Sequence, residues 1–310
     1  MVKPELIHGL SYAEYAKLPG VTQTELARFY ESPANVPYFR ANPIKATEAM
    51  QFGTICHSAL WSPDEYTVGV SHVRQPLTYT CGKSDSAKGV TKGDEVPWSP
   101  TATFCKAWTA SQTLPILRSG QAEDVENICE NVTRMVPEAS IDNKGFSEVV
   151  ICGVDEITGL PIKARLDRLT QDASEQPLIL DLKVTGQLSR LKYAVEERYF
   201  LQAAHYTEML KLTDIGDAPF AFVAVDTSAP HAVEFVQLSP EYMEFAVAMR
   251  RRLLDLWHLC SEMNVWPACP SSQLEYESQN GVPLLGSLRI KPASSREPLP
   301  MPYSFRNKTN

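Results

Sequence analysis

SEVVICGVDEITGLPIKARLDRLTQDASEQPLILDLKV, residues 147–184, consists of three apolar runs separated by turn residues. The runs cover 148–154, 160–167 and 177–184, and the DEITG segment at 155–159 has the composition of a hairpin turn. In the second run apolar and charged residues alternate, as in a strand with one buried face: Leu160, Ile162, Ala164 and Leu166 against Lys163, Arg165 and Asp167. The stretch therefore predicts three consecutive strands.

The third run ends in a charged pair, although its beginning is apolar. A period of two places Asp181 and Lys183 on the same face of that strand. If Asp167 and Asp181 point to one place they repel each other unless a cation lies between them, and Mg²⁺ prefers carboxylate oxygens together with water and phosphate oxygens. Lys183 could then orient a water molecule or offset charge on a phosphate. On spacing alone, an ion pair between Asp181 and Lys183 explains the pattern equally well.

The flanking segments predict further helices and strands. Helices are predicted from Thr22 or Thr24 to Tyr30 and at 47–61, 104–117, 122–136, 194–211 and 239–263. Strands are predicted at 218–226 and 232–238, whereas residues 1–20 and the polar stretch 74–100 are predicted to be irregular. Arg250, Arg251 and Arg252 are expected on a solvated helix face, with contact to a DNA backbone as the alternative.

Composition and charge limit the class of protein. Of the 310 residues 44% are apolar and 21% are charged, which is typical of a globular chain. The formal net charge of −8 provides no general basic field, which weakens a DNA-binding interpretation without excluding it. Seven cysteines without a CxxC spacing indicate reduced thiols, and neither a signal peptide nor a membrane span is recognisable. We expect a cytoplasmic protein without a membrane partner.

Five separated motifs occur in a definite order along the chain. They are GTICHSAL with His57, SEVVI with Glu148, KARLDRL with Asp167, ILDLK with Asp181 and Lys183, and LQAAHY with Gln202 and Tyr206. This ordered set resembles the PD-(D/E)xK nuclease superfamily, and within it the RecE-type (exodeoxyribonuclease VIII-like) exonucleases of phages and prophages and the RecB-like nucleases. The segments TQTELARFYESPANVPYF and MNVWPACP also resemble RecE-type proteins, so the resemblance covers most of residues 20–270.

The resemblance implies both a fold and a set of site residues. The fold is an α/β, restriction-endonuclease-like core with a mixed central sheet flanked by helices, formed by residues 1–270 and followed by a Pro/Ser-containing tail at 271–310. The implied roles are these: Asp167, Asp181, His57 and the Leu182 carbonyl as metal ligands, Lys183 acting on the attacking water, Gln202 and Tyr206 contacting the scissile phosphate or the adjacent nucleotide, and Glu148 in the site or just outside it. As alternatives, His57 could be an ordinary core residue, and Gln202 and Tyr206 a polar pair beside a packing face.

The resemblance also implies an activity. It predicts a Mg²⁺-dependent exonuclease, with Mn²⁺ as a substitute, that digests double-stranded DNA ends 5′-to-3′ and leaves 3′ tails for recombination. A RecT-type single-strand annealing protein would be its partner, and a toroidal homo-oligomer its assembly. The alternatives are a RecB-like endonuclease or single-strand-specific nuclease, and a catalytically inactive DNA-binding or assembly protein. No iron–sulfur cluster is expected, because only Cys260 and Cys269 lie late in the chain and no closely spaced triplet occurs.

Overall fold

A five-stranded mixed sheet forms the centre of the protein. The computed structural model describes residue 4, residues 6–84 and 89–268, and the backbone of four two-residue strands between positions 274 and 290. Its helices are α1 (Tyr12–Lys17), α2 (Gln23–Glu31), α3 (Asn35–Ala41), α4 (Glu48–Trp61), α5 (Thr103–Ser111), α6 (Gln121–Met135), α7 (Leu191–Ala194), α8 (Phe200–Lys211) and α9 (Pro240–Met263). The central sheet contains β5 (Gly145–Val154), β6 (Pro161–Gln171), β7 (Pro177–Thr185), β8 (Phe220–Asp226) and β9 (Val233–Gln237) in that spatial order.

The strand directions follow from the connections. β5, β6 and β7 are antiparallel neighbours, whereas β7 and β8 are parallel and β9 runs antiparallel to β8. The parallel pair needs a crossover, which α7, a π-helical turn at Val195–Tyr199 and α8 provide. The predicted hairpin turn is confirmed, because the amide of Gly159 donates to the Asp155 carbonyl over 2.8 Å. The expected α/β fold with a mixed sheet between helices is confirmed.

Helices cover both faces of the sheet and create two cores. The larger core packs α2, α8 and α9 against one face, and the smaller packs α4 and α6 against the other. β7 contributes to both, since Leu178, Leu180 and Leu182 lie in the smaller core and Ile179 lies in the larger one. A strand that is buried on both faces reads as a continuous apolar run, and Asp181 takes the place of an apolar residue on the face that carries Ile179.

Several local predictions were wrong. The helix predicted at 104–117 ends at Ser111, and Ile116–Leu117 forms strand β4, which pairs in parallel with β1 (Val73–Arg74). Pro115 lacks an amide hydrogen and disfavours helix in the residue before it. The stretch 74–100 contains the antiparallel strands β2 (Thr78–Thr80) and β3 (Glu95–Pro97), and residues 1–20 contain α1 with a capping box from Ser11 to Glu14.

The arginines of α9 do not form a solvated face. Arg250 is buried, and its Nε donates to Nδ1 of His205 over 3.1 Å. Arg251 makes ion pairs with Asp155 and Asp255, and only Arg252 is exposed. The expectation of a solvated arginine face was therefore wrong for Arg250, because α9 packs this part of its circumference against α8.

The four described strands near the end of the chain pair with one another and not with the central sheet. Strand β10 (Leu274–Glu275) pairs with β13 (Arg289–Ile290), and β11 (Ser278–Gln279) pairs with β12 (Val282–Pro283). The remainder of the predicted tail at 271–310 lies outside the described residues, and the domain boundary at residue 270 stays a prediction. Among the helices of the described residues, none combines the length and the apolar character that crossing a membrane requires.

Candidate active site

β7 brings Asp181 and Lys183 to the side of the sheet that faces α8. Asp181 is only 1% exposed. One of its carboxylate oxygens lies in ion-pair contact with Lys183 Nζ, and the other accepts a hydrogen bond from Gln202 Nε2. Lys183 Nζ donates in turn to Gln202 Oε1 over 3.0 Å. The ion pair weighed at the sequence level is therefore present, but it is part of a larger buried network.

β6 brings Asp167 to the same place. The neighbouring register pair Arg168 and Leu180 places Asp167 opposite Asp181 in the antiparallel ladder. Asp167 Oδ2 accepts a hydrogen bond from the amide of Leu182 over 3.2 Å and lies 3.5 Å from Nδ1 of His57. The two carboxylates predicted to converge are thus neighbours at the junction of β6 and β7.

α4 supplies the histidine from the other layer. His57 Nε2 lies 3.0 Å from the carbonyl oxygen of Leu182, which can only accept, so this nitrogen carries the proton. Burial lowers the pKa of His57 to about 4, so the ring is neutral at pH 7. Nδ1 then presents a lone pair to a carboxylate oxygen of Asp167. His57 Nδ1 and Asp167 Oδ2 are then two neighbouring acceptors, and such a pair favours a proton or another cation between the two atoms.

The electrostatics of the two carboxylates are unusual for aspartates. Burial, opposed by the charge of Lys183, raises the pKa of Asp167 to about 6. Burial and repulsion from Asp167 raise the pKa of Asp181 to about 7. Carboxylates whose pKa values are raised by desolvation and a like charge cluster at functional sites, although structural networks produce them too.

Glu148 lies at an irregular point of β5, beside this pair. Its φ of 55° is in the left-handed region, which is strained for a residue with a side chain. Its carboxylate pairs with Arg165 over 2.9 Å, and its charge contributes to the raised pKa of Asp167. The register pairs on either side, Ser147 with Arg168 and Val149 with Leu166, place it opposite Asp167. Glu148 therefore borders the carboxylate pair.

Tyr206 lies behind Gln202, one turn further along α8. It is 4% exposed, and its ring packs against Phe220 with ring centroids 6.2 Å apart. Burial raises the pKa of Tyr206 well above its ordinary value, and its hydroxyl group interacts with the side chain of Gln202. Gln202 and Tyr206 do share a helix face as predicted, but only Gln202 touches Asp181 and Lys183.

All the residues that the motifs predicted for the site lie in one neighbourhood, and one that they missed lies there as well. Arg165 is held by Glu148, and its buried Nε donates no hydrogen bond to any described residue. A sequence signal for it exists, since Arg165 precedes Asp167 by two residues on the same strand and shares its face. The resemblance assigns a role to Asp167 and none to Arg165, because the carboxylate is the metal ligand of the motif.

Comparisons with known proteins concern the family and the fold of this chain. Residues 23–280 match the sequence profile of a family described as a PDDEXK-like domain of unknown function (DUF3799). The fold is similar to the crystal structure of a candidate exonuclease from Eubacterium rectale, with a TM-score of 0.55, 14% identity, and coverage of 85% of this chain and 91% of that one. The likeness to SSO0001 is too small to indicate a common fold, with a TM-score of 0.29, 13% identity, and coverage of 44% and 61%.

Curated proteins provide no further relative, since none of them matches the sequence significantly. The matched region of the family profile extends from α2 past the end of α9 and includes every residue of the site described above. It covers well over half of the chain. The protein therefore belongs to this family of PDDEXK-like domains, within the PD-(D/E)xK nuclease superfamily.

Proposed function

We propose that the protein is a metal-dependent deoxyribonuclease, specifically a RecE-type exonuclease that hydrolyses phosphodiester bonds from double-stranded DNA ends. The observation that carries the proposal is the convergence of Asp167, Asp181 and Lys183 at one buried point of the sheet. A fold kept only for binding or assembly has no need of two buried neighbouring carboxylates whose pKa values are both raised, chiefly by burial. The membership in a PDDEXK-like family supports the same proposal.

The donor atoms at this point suit a hard divalent cation. In residues 6–84 and 89–268 no three His, Cys, Asp or Glu side chains already surround one position as ligands. Asp181 Oδ1 is buried and lies against the ammonium group of Lys183, so a cationic group already occupies the position next to this oxygen. Asp167, Asp181, the Leu182 carbonyl and neutral His57 would hold Mg²⁺, or Mn²⁺ in its place. When bound, such an ion acts as a Lewis acid and makes water a better nucleophile at neutral pH.

The remaining residues of the site would position the substrate and offset charge. Lys183 is fixed between Asp181 and Gln202, so its ammonium group is available to stabilise negative charge that develops on a phosphate. Gln202 holds both of these side chains through its two amide atoms. Tyr206 supports Gln202 from within the core, and Glu148 would orient Arg165 towards the approaching backbone.

We further propose the biological setting that accompanies a RecE-type enzyme. The strand digested would be the 5′ strand, leaving a 3′ single-stranded tail for a RecT-type annealing protein in the cytoplasm of the host of a phage or prophage. A toroidal homo-oligomer would confine duplex DNA without a strongly basic surface, which would reconcile DNA processing with the net charge of −8.

The test is digestion of an end-labelled linear duplex with Mg²⁺. We expect wild type to release labelled nucleotides, and Asp181→Asn to be slower by roughly 100-fold or more, because removal of one group that stabilises the transition state costs about that much. Asp142→Asn, at an exposed position, is the matched control and should digest like wild type. If Asp181→Asn also digests at the wild-type rate, the site is assigned wrongly.

Covalently closed circles distinguish the exonuclease from its alternatives. An enzyme that needs ends spares a closed duplex circle and digests it once it is linearised. Cleavage of the closed duplex would identify an endonuclease, and digestion confined to single strands a single-strand-specific nuclease. Duplexes labelled at the 5′ or the 3′ terminus give the polarity. The terminal label that is released first as a mononucleotide marks the end from which the strand is digested. No cleavage of any substrate with Mg²⁺ or Mn²⁺ would favour the inactive binding protein.

A further inference from the structure

A cavity of about 380 Å³ adjoins the candidate active site on the side of α2. We call it the Arg28 pocket. It shares Lys183 and Gln202 with the site, whereas His57 and Asp167 do not line it. Its other walls come from α2, the end of α3 and the π-helical turn before α8, and they include Arg28, Phe39, Arg198 and Tyr199. Its volume falls in the range of pockets that take a single small ligand.

In the part of the chain that the structure describes, no protein acceptor engages the two arginines of the Arg28 pocket. Within the described residues, the guanidinium groups of Arg28 and Arg198 make no hydrogen bond or ion pair with a side chain or a carbonyl. Arg28 lies 4.5 Å from the centroid of the Phe39 ring, and Arg198 lies 5.1 Å from that of Tyr199. The carboxylate in the lining, Glu31, is exposed. The pocket therefore offers positive charge to an anion.

Aromatic rings accompany the charge. Phe39 and Tyr199 are both half-buried, and Tyr199 also lies 4.7 Å from Lys183 Nζ, measured to the ring centroid. A flat apolar group with an attached phosphate matches cationic side chains alternating with aromatic rings, and proteins hold unpaired nucleotides in this way. A plain phosphate would use the arginines but not the rings, and an apolar ligand would leave the charges unmatched.

The backbone next to the pocket is also unusual. Val195–Tyr199 forms a π-helical turn, which brings both Arg198 and Tyr199 into the lining. Such turns are rare and often mark functional sites. The charges, the rings and the turn are separate observations, and they meet beside the lysine that the proposed reaction would use.

From these observations we propose that the Arg28 pocket binds the unpaired terminal nucleotide of the strand being cleaved, with Arg28 and Arg198 on its phosphate and Tyr199 against its base. The proposal rests on the proposed nuclease function and adds the subsite that places the scissile bond. A base held there is separated from its pairing partner. The pocket would therefore favour ends that open easily, and frayed or mismatched ends would be cleaved faster than fully paired ones.

Binding can be tested without cleavage. The probes are two short duplexes carrying 2-aminopurine as the 5′-terminal or the 3′-terminal base, mixed with the Asp181→Asn protein and Mg²⁺. We expect one of the two labels, on the digested strand, to be quenched when its base stacks on Tyr199. Introducing Tyr199→Leu into the Asp181→Asn protein should abolish the quenching. Tyr199→Phe in the same background should retain it, because phenylalanine keeps the ring. If neither label is quenched, or if Tyr199→Leu quenches like its parent, the proposal is wrong.

The arginines are tested by affinity and by rate. Arg28→Gln and Arg198→Gln should each weaken binding of the quenched probe roughly tenfold and reduce its salt dependence by about one counterion, while Arg28→Lys should recover part of the loss. In otherwise wild-type protein the same glutamine variants should raise KM more than they lower kcat. The control Arg134→Gln, on α6, should change neither quantity. Thermal unfolding checks that each variant is folded, and Arg198, which is exposed, provides a substitution that packing does not constrain.

The experiments distinguish a wrong pocket assignment from a wrong assignment of nuclease activity. If wild type digests linear duplex but the pocket variants bind and digest like Arg134→Gln, the pocket assignment is overturned and the nuclease stands. If wild type digests nothing while the terminal base is still quenched through Tyr199, the proposed activity is wrong and the nucleotide pocket stands.

Discussion

The negative charge of Asp167 destabilises the folded protein. Burial and the charge of Glu148 raise the pKa of Asp167 above its ordinary value of 3.8 to about 6, against the opposing effect of Lys183. A folded-state pKa above the unfolded one means that the folded chain binds the proton more tightly. Tighter proton binding stabilises the folded state relative to the unfolded state. This stabilisation is fully present below about pH 4 and is lost as the pH rises through about 6.

Asp167→Asn should therefore stabilise the protein at alkaline pH in the absence of divalent cations. The amide resembles the protonated carboxyl group and can keep the hydrogen bond from the Leu182 amide. We expect a gain of about 1–3 kcal/mol at pH 8, since one unit of pKa corresponds to about 1.4 kcal/mol, and little gain at pH 4. Thermal unfolding in EDTA across this pH range measures the difference. A difference between variant and wild type that does not grow with pH would contradict the electrostatic explanation.

At the scale of elements, Lys163 attaches the N-terminal helix to the sheet. Its Nζ is buried under α1 and donates to the carbonyl oxygens of Tyr15, Ala16 and Leu18. The chain then passes β6 closely at Gly20, where a Cβ atom would lie 3.0 Å from the Ile162 carbonyl carbon. A charged donor thus satisfies the carbonyls at the end of a short helix that has little core of its own.

Lys163→Met should detach α1 while leaving the sheet intact. A hydrogen bond to a charged group contributes about 1.5–3 kcal/mol to stability. We expect the free energy of unfolding measured in urea to fall by an amount in this range. Trypsin should cut after Lys17 faster in the variant, because α1 would open locally. Lys106→Met, at an exposed position of α5, is the matched control. Unchanged cleavage at Lys17 in Lys163→Met would show that other contacts hold α1.

At the scale of the whole molecule, the candidate site joins the two helical layers through the sheet. α4 contributes His57 from one layer, α8 contributes Gln202 from the other, and β6 and β7 contribute the carboxylates between them. A ligand bound at this junction contacts elements of both layers at once. Because it binds the folded state only, it should stabilise the molecule as a unit.

Mg²⁺ or Mn²⁺ should therefore raise the melting temperature of the wild-type protein. At a concentration 100 times the dissociation constant the gain is about 2.7 kcal/mol, which corresponds to a shift of several degrees. His57→Ala should need a higher concentration for the same shift, whereas His258→Ala, on α9, should behave like wild type. Calorimetric titration gives the affinities directly. Equal affinity of His57→Ala and wild type would remove His57 from the ligands.

The local pattern of the chain predicted the central elements well and the connecting ones poorly. Strands β5 to β9 alternate or are continuously apolar, and the backbone imposes that period whatever surrounds it. Helix α3 was not predicted, and helix α5 was predicted to continue past its end at Ser111. The lengths of these helices depend on prolines and on packing rather than on a repeated pattern. The roles predicted for Asp167, Asp181, Lys183, His57, Leu182, Glu148, Gln202 and Tyr206 stay predictions until the metal and activity experiments are done.

The sequence by itself determined the alternation within β6 and β7, and hence that Asp181 and Lys183 share one face of β7 and that Asp167 lies on the charged face of β6. Only the tertiary structure decided that His57 meets the Leu182 carbonyl across 125 residues of chain, that Arg250 is buried, and that Arg28 and Arg198 line a pocket beside Lys183. The reason is physical. A strand's period is a property of its own backbone, whereas proximity and burial, and the pKa values that depend on them, arise from packing between segments far apart in the chain.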